Sequence, residues 1–421
     1  MAGTVLSTLL ENENNQDDFH EAGGIGPLTE HLMAPTPALQ FNALVCLSLM
    51  ATNERSFPEV QRTGVVAKFM KLLGSKSSNL TSQALKAAER FAQKPFLRTM
   101  MLRGGALKQL ADLLNRREDA VISPAISALV HMLEEAQACE EFKAMNGLPS
   151  VLRHMGSKNP EIQLRAAEAV ALMAEKAQMQ ESIRVLGGIP PVIGLLTSAS
   201  KETRRTAVII LSKIVDDDKT LDTVSSSGGV TAVVNCMQDS DPVVAQPCAA
   251  LLLRLCATKK NRDILRKSRG IPIVCQLLSS EDEGVKESCT QILASMSDDV
   301  ENRQQIQSNG GFQILMELIP RSSTSTTERL LWALSNFAQD DDMQAPIRDS
   351  GVLDTVVTML SVNTPTLQSL ALKCILILGQ KGPNKRVFVS AGAIPPLRQL
   401  SQSTNPTLKA ASTRAIQFLS T

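Results

Sequence analysis

Gly187-Gly188-Ile189-Pro190-Pro191-Val192-Ile193-Gly194-Leu195-Leu196 holds the end of one helix and the start of the next. The paired glycines stop the short amphipathic stretch before them, residues 179–186, because glycine takes the left-handed cap conformation without a Cβ clash. Pro190 and Pro191 then fall in a first helical turn, where the missing N–H leaves no bond unmade. Apolar residues at 189, 192, 193, 195 and 196 form a helical stripe. Thr197-Ser198-Ala199-Ser200 reads as a turn with capping residues. Residues 201–215 read as a third, longer helix whose buried stripe is Ala207, Ile210, Leu211 and Ile214, and Asp216-Asp217-Asp218 closes the unit.

Outward from this stretch, Gly188 is one of ten glycines in register: Gly24, Gly64, Gly105, Gly147, Gly188, Gly229, Gly270, Gly311, Gly351 and Gly392, spaced 40 to 42 residues apart. A fixed period of that size marks a stacked repeat protein. Gly270-Ile271-Pro272 and Ala393-Ile394-Pro395-Pro396 open second helices in the same way, and Leu-Leu pairs end them at 72–73, 113–114, 195–196 and 277–278. No stretch alternates as a strand does, so the chain reads as all-α. Three short helices cannot cover their own apolar faces, so neighbouring units must complete each core.

Composition agrees with a long stack. The chain has 421 residues, more than one compact core normally serves, but a stack has no such ceiling. Aromatic residues make up only 3%, with no Tyr and one Trp, Trp332, so the core must be aliphatic. A net charge of +1 gives no overall drive toward nucleic acid or anionic membrane. None of the eight cysteines forms a Cys-x-x-Cys pair, and most lie in apolar runs, as buried free thiols in a reducing compartment would. No secretory signal, myristoylation site or apolar run of about 20 residues is present.

A short helix, Gly, an Ile-Pro-Pro-opened helix, a turn and a long helix with Ala-x-x-Ala-Leu-x-x-Leu spacing together resemble the armadillo repeat. The resemblance covers residues 15–421. It implies one domain over 1–421, an all-α, right-handed α-solenoid of about ten three-helix units of about 41 residues. Residues 1–14 read as an N-terminal capping helix with Val5, Leu6, Leu9 and Leu10 as its apolar face. Two-helix HEAT repeats lack the Gly-Ile-Pro junction, and the tetratricopeptide period of 34 does not fit.

In armadillo proteins the third helices line a groove that holds extended peptide segments, and in the importin-α branch a Trp and an Asn one turn apart repeat along it. This chain has that pair once, in Trp332-Ala333-Leu334-Ser335-Asn336. The equivalent positions elsewhere lack the pair; several carry cations, Lys86, Arg90, His131, Lys213 and Arg254, with Arg205 one turn before Ile209, and others are apolar, as Leu49, Leu172, Ile377 and Phe418. Residues four apart share a helix face, so Lys86 and Arg90 point the same way. Interspersed Arg and Lys favour an acidic partner, which is closer to the β-catenin branch. The groove candidates are therefore Lys86, Arg90, His131, Arg205, Lys213, Arg254, Trp332 and Asn336.

Acidic turns follow the third helices at Glu134-Glu135, Asp216-Asp217-Asp218, Asp298-Asp299 and Asp340-Asp341-Asp342. Each precedes a short helix whose N–H groups and dipole favour acid. The alternative is an acidic rim for a basic partner. Lys259-Lys260-Asn261-Arg262 reads as a solvated turn. The four histidines lack a second ligand at metal spacing, and neither Gly-x-Ser-x-Gly nor a phosphate loop occurs. The expected function is a non-enzymatic scaffold, without cofactor or metal, that holds an extended acidic-hydrophobic segment of another protein. It is expected in the cytoplasm, with the nucleus as a second location, and with no nucleic-acid partner and no direct membrane insertion. The alternatives are a structural component of a cytoskeletal or ciliary assembly and a nuclear transport adaptor.

Overall fold

The computed structural model describes residues 2–215, 217–238 and 242–420; within helices, the side chains of 2, 242 and 243 are also outside the description. Asp216 therefore lies outside the described residues. Those described form an all-α repeat solenoid without a strand, as the period requires. Two compact units divide the chain, residues 1–227 and 228–421.

The third helices, numbered in chain order, form the spine of each unit. In the first unit they are α1 (Ala2–Leu9), α2 (Pro37–Met50), α3 (Ser78–Ala92), α4 (Asp119–Leu133), α5 (Pro160–Met173) and α6 (Lys201–Ile214). In the second they are α7 (Pro242–Leu255), α8 (Glu283–Met296), α9 (Thr324–Phe337), α10 (Pro365–Leu378) and α11 (Pro406–Ser420). Within each unit every third helix packs on the next, and second helices such as Val65–Leu73 and Ile189–Leu195 lie against the third helix of their own repeat. The stripe on α6 is buried as its spacing requires, with Ala207, Ile210, Leu211 and Ile214 all inside. Ser200 caps that helix by accepting from Thr203 N–H at 3.2 Å.

The register glycines divide into two kinds. Gly64 has φ 69° and is itself the left-handed residue that ends the first helix. At Gly270 the left-handed residue is the one before, Arg269 with φ 58°. Glycine is needed at 270 for space: a Cβ there would stand 2.1 Å from Leu265 Cδ1 and 3.0 Å from the Leu265 carbonyl oxygen. Every junction needs one left-handed residue, and its place shifts by one between repeats. Arg269 carries the steric cost of that conformation, roughly 1 kcal/mol. Arg269→Gly is expected to raise stability by about that amount, read as a higher urea midpoint with an unchanged slope.

Two prolines sit inside third helices, Pro124 in α4 and Pro247 in α7. Pro124 cannot donate to the carbonyl of Ala120, four residues earlier. The Ser82 hydroxyl of α3 donates to that oxygen at 3.0 Å instead.

Two expectations need correction. The helix α1 packs on α2, but Val5 and Leu9 are exposed and, of its expected apolar face, only Leu10, just past its end, is fully buried. Lys259-Lys260-Asn261-Arg262 is not a solvated turn. It opens the first helix Lys259–Lys267, where Asn261 is buried and donates to the Leu255 carbonyl at 2.7 Å.

Candidate functional site

That Asn261 bond belongs to a recurring joint. A polar residue in a first helix reaches back six positions to a carbonyl at the end of the preceding third helix. Gln180 does so to Ala174, Asn302 to Met296, Gln344 to Ala338 and Asn384 to Leu378. These carbonyls have no partner within their own helix, so the joint satisfies them.

The acidic turns complete it. Asp299 caps a first helix by accepting from Glu301 and Asn302 N–H at 3.0 and 3.2 Å. Asp217 accepts from Thr220 N–H at 2.6 Å, and this backbone bond holds its carboxyl below the usual carboxylate range. Others meet a first-helix arginine from the same repeat as the third helix they follow. Arg98 reaches Glu134 at 2.6 Å and Glu135 at 3.0 Å, and Arg303 grips Asp340 through two bonds at 2.6 and 2.7 Å. These carboxylates are engaged within the chain, which leaves little at 134, 135 or 340 for a basic partner.

The eight candidates fall into two sets, one per unit. In the first unit Lys86 and Arg90 stand exposed on α3, one turn apart. Arg90 meets only a hydroxyl, Ser48 Oγ, at 3.3 Å. Arg205 is exposed on α6. Among the described residues none of these three has a carboxylate partner. Lys213, also on α6, pairs with Glu175 at 2.8 Å, and this hydrogen bond lowers the Glu175 pKa. His131 on α4 is half-buried, with Nδ1 3.1 Å from Glu134. The half-buried apolar residues Leu164 and Leu172 of α5 and Ile209 of α6 share the third-helix row with these cations.

In the second unit Arg254 is exposed on α7. Trp332 and Asn336 share a face of α9 but differ in access: Trp332 is 43% exposed and Asn336 is 5% exposed. The Asn336 amide donates to Ser297 Oγ at 3.0 Å and Asp298 Oδ1 at 3.1 Å. Both bonds are internal, so the amide is committed to the joint between repeats. Trp332 Nε1 donates to the same Asp298 oxygen at 3.0 Å, and Lys373 Nζ lies 4.2 Å from the indole centroid.

Asp298, Lys373 and Glu175 were not among the sequence candidates. A signal existed for two of them. Lys213 and Asn336 occupy the same repeat position, and each reaches an acid 38 residues earlier, at the end of the preceding third helix.

The cysteines carry no chemistry of this kind. All eight are buried, and none is joined in a disulfide. Burial pushes the thiols of Cys256, Cys289 and Cys374 up to about 12 and those of Cys46 and Cys275 up to about 11. They stay protonated, and so unreactive, near neutral pH.

Comparisons with known proteins agree with the repeat reading. A family model described as the plant U-box protein ARM repeat region matches residues 188–368. A probable inactive serine/threonine-protein kinase of Dictyostelium discoideum is 24% identical over 178 residues, which are 38% of this chain and 9% of that protein. The chain thus spans less than a tenth of that relative's length. An engineered protein of solved structure superposes with a TM-score of 0.67 at 22% identity, over 94% of this chain and 99% of its own. A second engineered protein gives 0.49 at 23% identity, over 55% of this chain and 96% of its own. The three-helix unit repeats through both halves and the family model matches the central repeats, less than half of the chain, which is consistent with an armadillo-repeat family.

Proposed function

We propose that this chain is a non-enzymatic scaffold whose first unit holds an extended, acidic-hydrophobic segment of a partner protein along its third helices. The armadillo fold suits protein binding, because a row of parallel helices offers repeated side-chain positions to one extended strand. The observation that carries the reading is the trio Lys86, Arg90 and Arg205. They are exposed and lack a carboxylate partner among the described residues, while Lys213 and His131 beside them meet Glu175 and Glu134. Cations left uncompensated next to half-buried Leu164, Leu172 and Ile209 favour a guest that alternates acid with apolar side chains. The cytoplasm, together with the nucleus, is the proposed place of action.

The alternative of a nuclear transport adaptor would need Asn336 to clamp a guest's backbone, yet its amide protons are held by Ser297 and Asp298. The test is fluorescence anisotropy of a labelled 15-residue peptide of alternating Glu and Leu. Reversing Lys86, Arg90 and Arg205 together to Glu is expected to weaken binding at least about tenfold at low salt. Reversing Lys213 alone should cost less, because Glu175 already offsets it. Equal affinity of the triple variant and the wild type would refute the reading.

A further inference from the structure

Charge is divided unevenly among the first helices. No lysine or arginine occurs before Arg55, whereas seven acids do. Four of those acids fall in the nine-residue first helix Glu13–Glu21. The first helix Lys259–Lys267, also of nine residues, carries five cations and one acid, in a chain of net charge +1. Gln16 is buried on the inner side of the first of these helices, and Asn261 and Leu265 on that of the second. Glu13, Asp18, Glu21, Lys259, Lys260 and Lys267 are exposed, and among the described residues Glu13, Asp18, Glu21, Lys259 and Lys267 form no ion pair. The remaining cations of the basic helix are engaged within the chain, Arg262 by Asp298 and Arg266 by Asp263 and Glu301. The spacing of the exposed charges matches. Glu13 and Glu21 open and close one helix, as Lys259 and Lys267 do the other, and eight residues span about 12 Å along a helix axis. Laid antiparallel, the two helices place a carboxylate opposite an ammonium at both ends. Exposed ion pairs alone contribute little, but each helix also offers apolar surface. Beside Asp18 lies a cleft of about 300 Å³ lined by Leu6, Leu9 and Phe19, among others, with Leu9 51% exposed. Ile264, half-buried between Lys260 and Lys267 in the basic helix, is an apolar side chain placed to enter it.

We infer that the chain self-associates through these two helices, with helix Glu13–Glu21 of one copy docked on helix Lys259–Lys267 of a second. Charge complementarity names the occupant: each helix has the length and charge spacing of the other with the opposite sign. The two surfaces differ, so the contact is heterologous. It is sensitive to salt, because its charged groups are exposed. It is also independent of the acidic-segment site, which uses third helices.

The test is sedimentation velocity of the full chain at low salt, from about 1 to about 100 µM. The average mass is expected to rise with concentration, and the rise to vanish in about 1 M salt, where the screening length is about 3 Å. A base-reversed variant combines Lys259→Glu, Lys260→Glu and Lys267→Glu, and an acid-reversed variant combines Glu13→Lys, Asp18→Lys and Glu21→Lys. Each alone should associate at least about tenfold more weakly than wild type. An equimolar mixture of the two should associate again, because one copy then presents two acidic helices and the other two basic ones. Misfolded variants could not restore each other in this way. Lys108→Glu, Arg116→Glu and Arg117→Glu together make the same change in net charge as the base-reversed variant, at exposed positions elsewhere, and should associate like wild type. The inference is overturned if the wild type stays a monomer throughout, if this last variant loses association as the base-reversed one does, or if the mixture fails to associate.

Discussion

Phe337→Ala is expected to lower the stability of the second unit by about 4 kcal/mol. The ring is fully buried at the end of α9 and meets Phe312 of the second helix Gly311–Leu318 edge-on, with centroids 5.1 Å apart at 64°. Edge contacts of this kind add to plain area burial. The chain has eleven Phe in 421 residues, so each buried ring fills a volume that the aliphatic neighbours cannot spare side chains to refill. Truncation removes the transfer gain of the ring and leaves a void. A repeat stack transmits such a loss mainly to adjacent repeats. Hydrogen exchange should therefore accelerate in α8, α9 and α10 while amides of α2 and α3 keep their rates. The neighbouring aromatic Trp332, exposed on the same helix, is the control: Trp332→Ala should cost under about 1 kcal/mol. A uniform acceleration along the whole chain, or a loss no larger than that of Trp332→Ala, would contradict this account.

What the sequence discloses here is set by distance along the chain. The Gly-Ile-Pro-Pro junction and the spacing of Ala207, Ile210, Leu211 and Ile214 are local signals, and each maps onto an observed junction or buried stripe. The groove candidates are less legible, because a side chain's availability depends on a partner one repeat away. Lys213 and Arg205 look alike in the sequence, yet only Lys213 lies opposite an acid, Glu175. That pairing depends on the stagger between α5 and α6, which turn length and helix rotation decide together. The offset of 38 residues is shorter than the period of 41, so aligning repeats by their glycines does not place the pair side by side. Asn336 misleads for the same reason: its spacing from Trp332 marks a shared face, but access is removed by Ser297 and Asp298 of the preceding repeat. The lysine-rich start of the first helix Lys259–Lys267 reads as solvent-facing by composition. Lys259 and Lys260 are exposed as that suggests, but Asn261 turns inward to satisfy the Leu255 carbonyl.

Arg303→Ala is expected to cost about 3 kcal/mol, although the position is an arginine in a polar first helix. Its guanidinium is 6% exposed and the Asp340 carboxylate 20% exposed, so neither charge can be rehydrated in place. Two near-parallel bonds join them, and the remaining nitrogen, Nη1, donates to the Ser297 carbonyl at 2.9 Å. The hydrogen bond to Asp340 raises the Arg303 pKa further above its already high value, so the charge is present at any working pH. One side chain thus ties the end of α8 to the turn after α9. Arg98 makes the same tie in the first unit, with the Ala92 carbonyl and Glu134 and Glu135. Removing the arginine leaves a part-buried carboxylate and a helix-end carbonyl without partners, which is why the loss exceeds that of an ordinary ion pair. Arg303→Lys should recover only part of it, since a single ammonium cannot reach both carboxylate oxygens and the carbonyl in the guanidinium's fork. The pair Arg55–Asp17, at 71% and 39% exposure, provides the contrast, and Arg55→Ala should cost under about 1 kcal/mol and be sensitive to salt. Replacing both partners, Arg303→Met with Asp340→Leu, should be milder than Arg303→Ala alone, because no charge is then left stranded. Urea unfolding of these variants decides the matter: an Arg303→Ala loss as small as that of Arg55→Ala would show that the tie orders the turn without stabilising the stack.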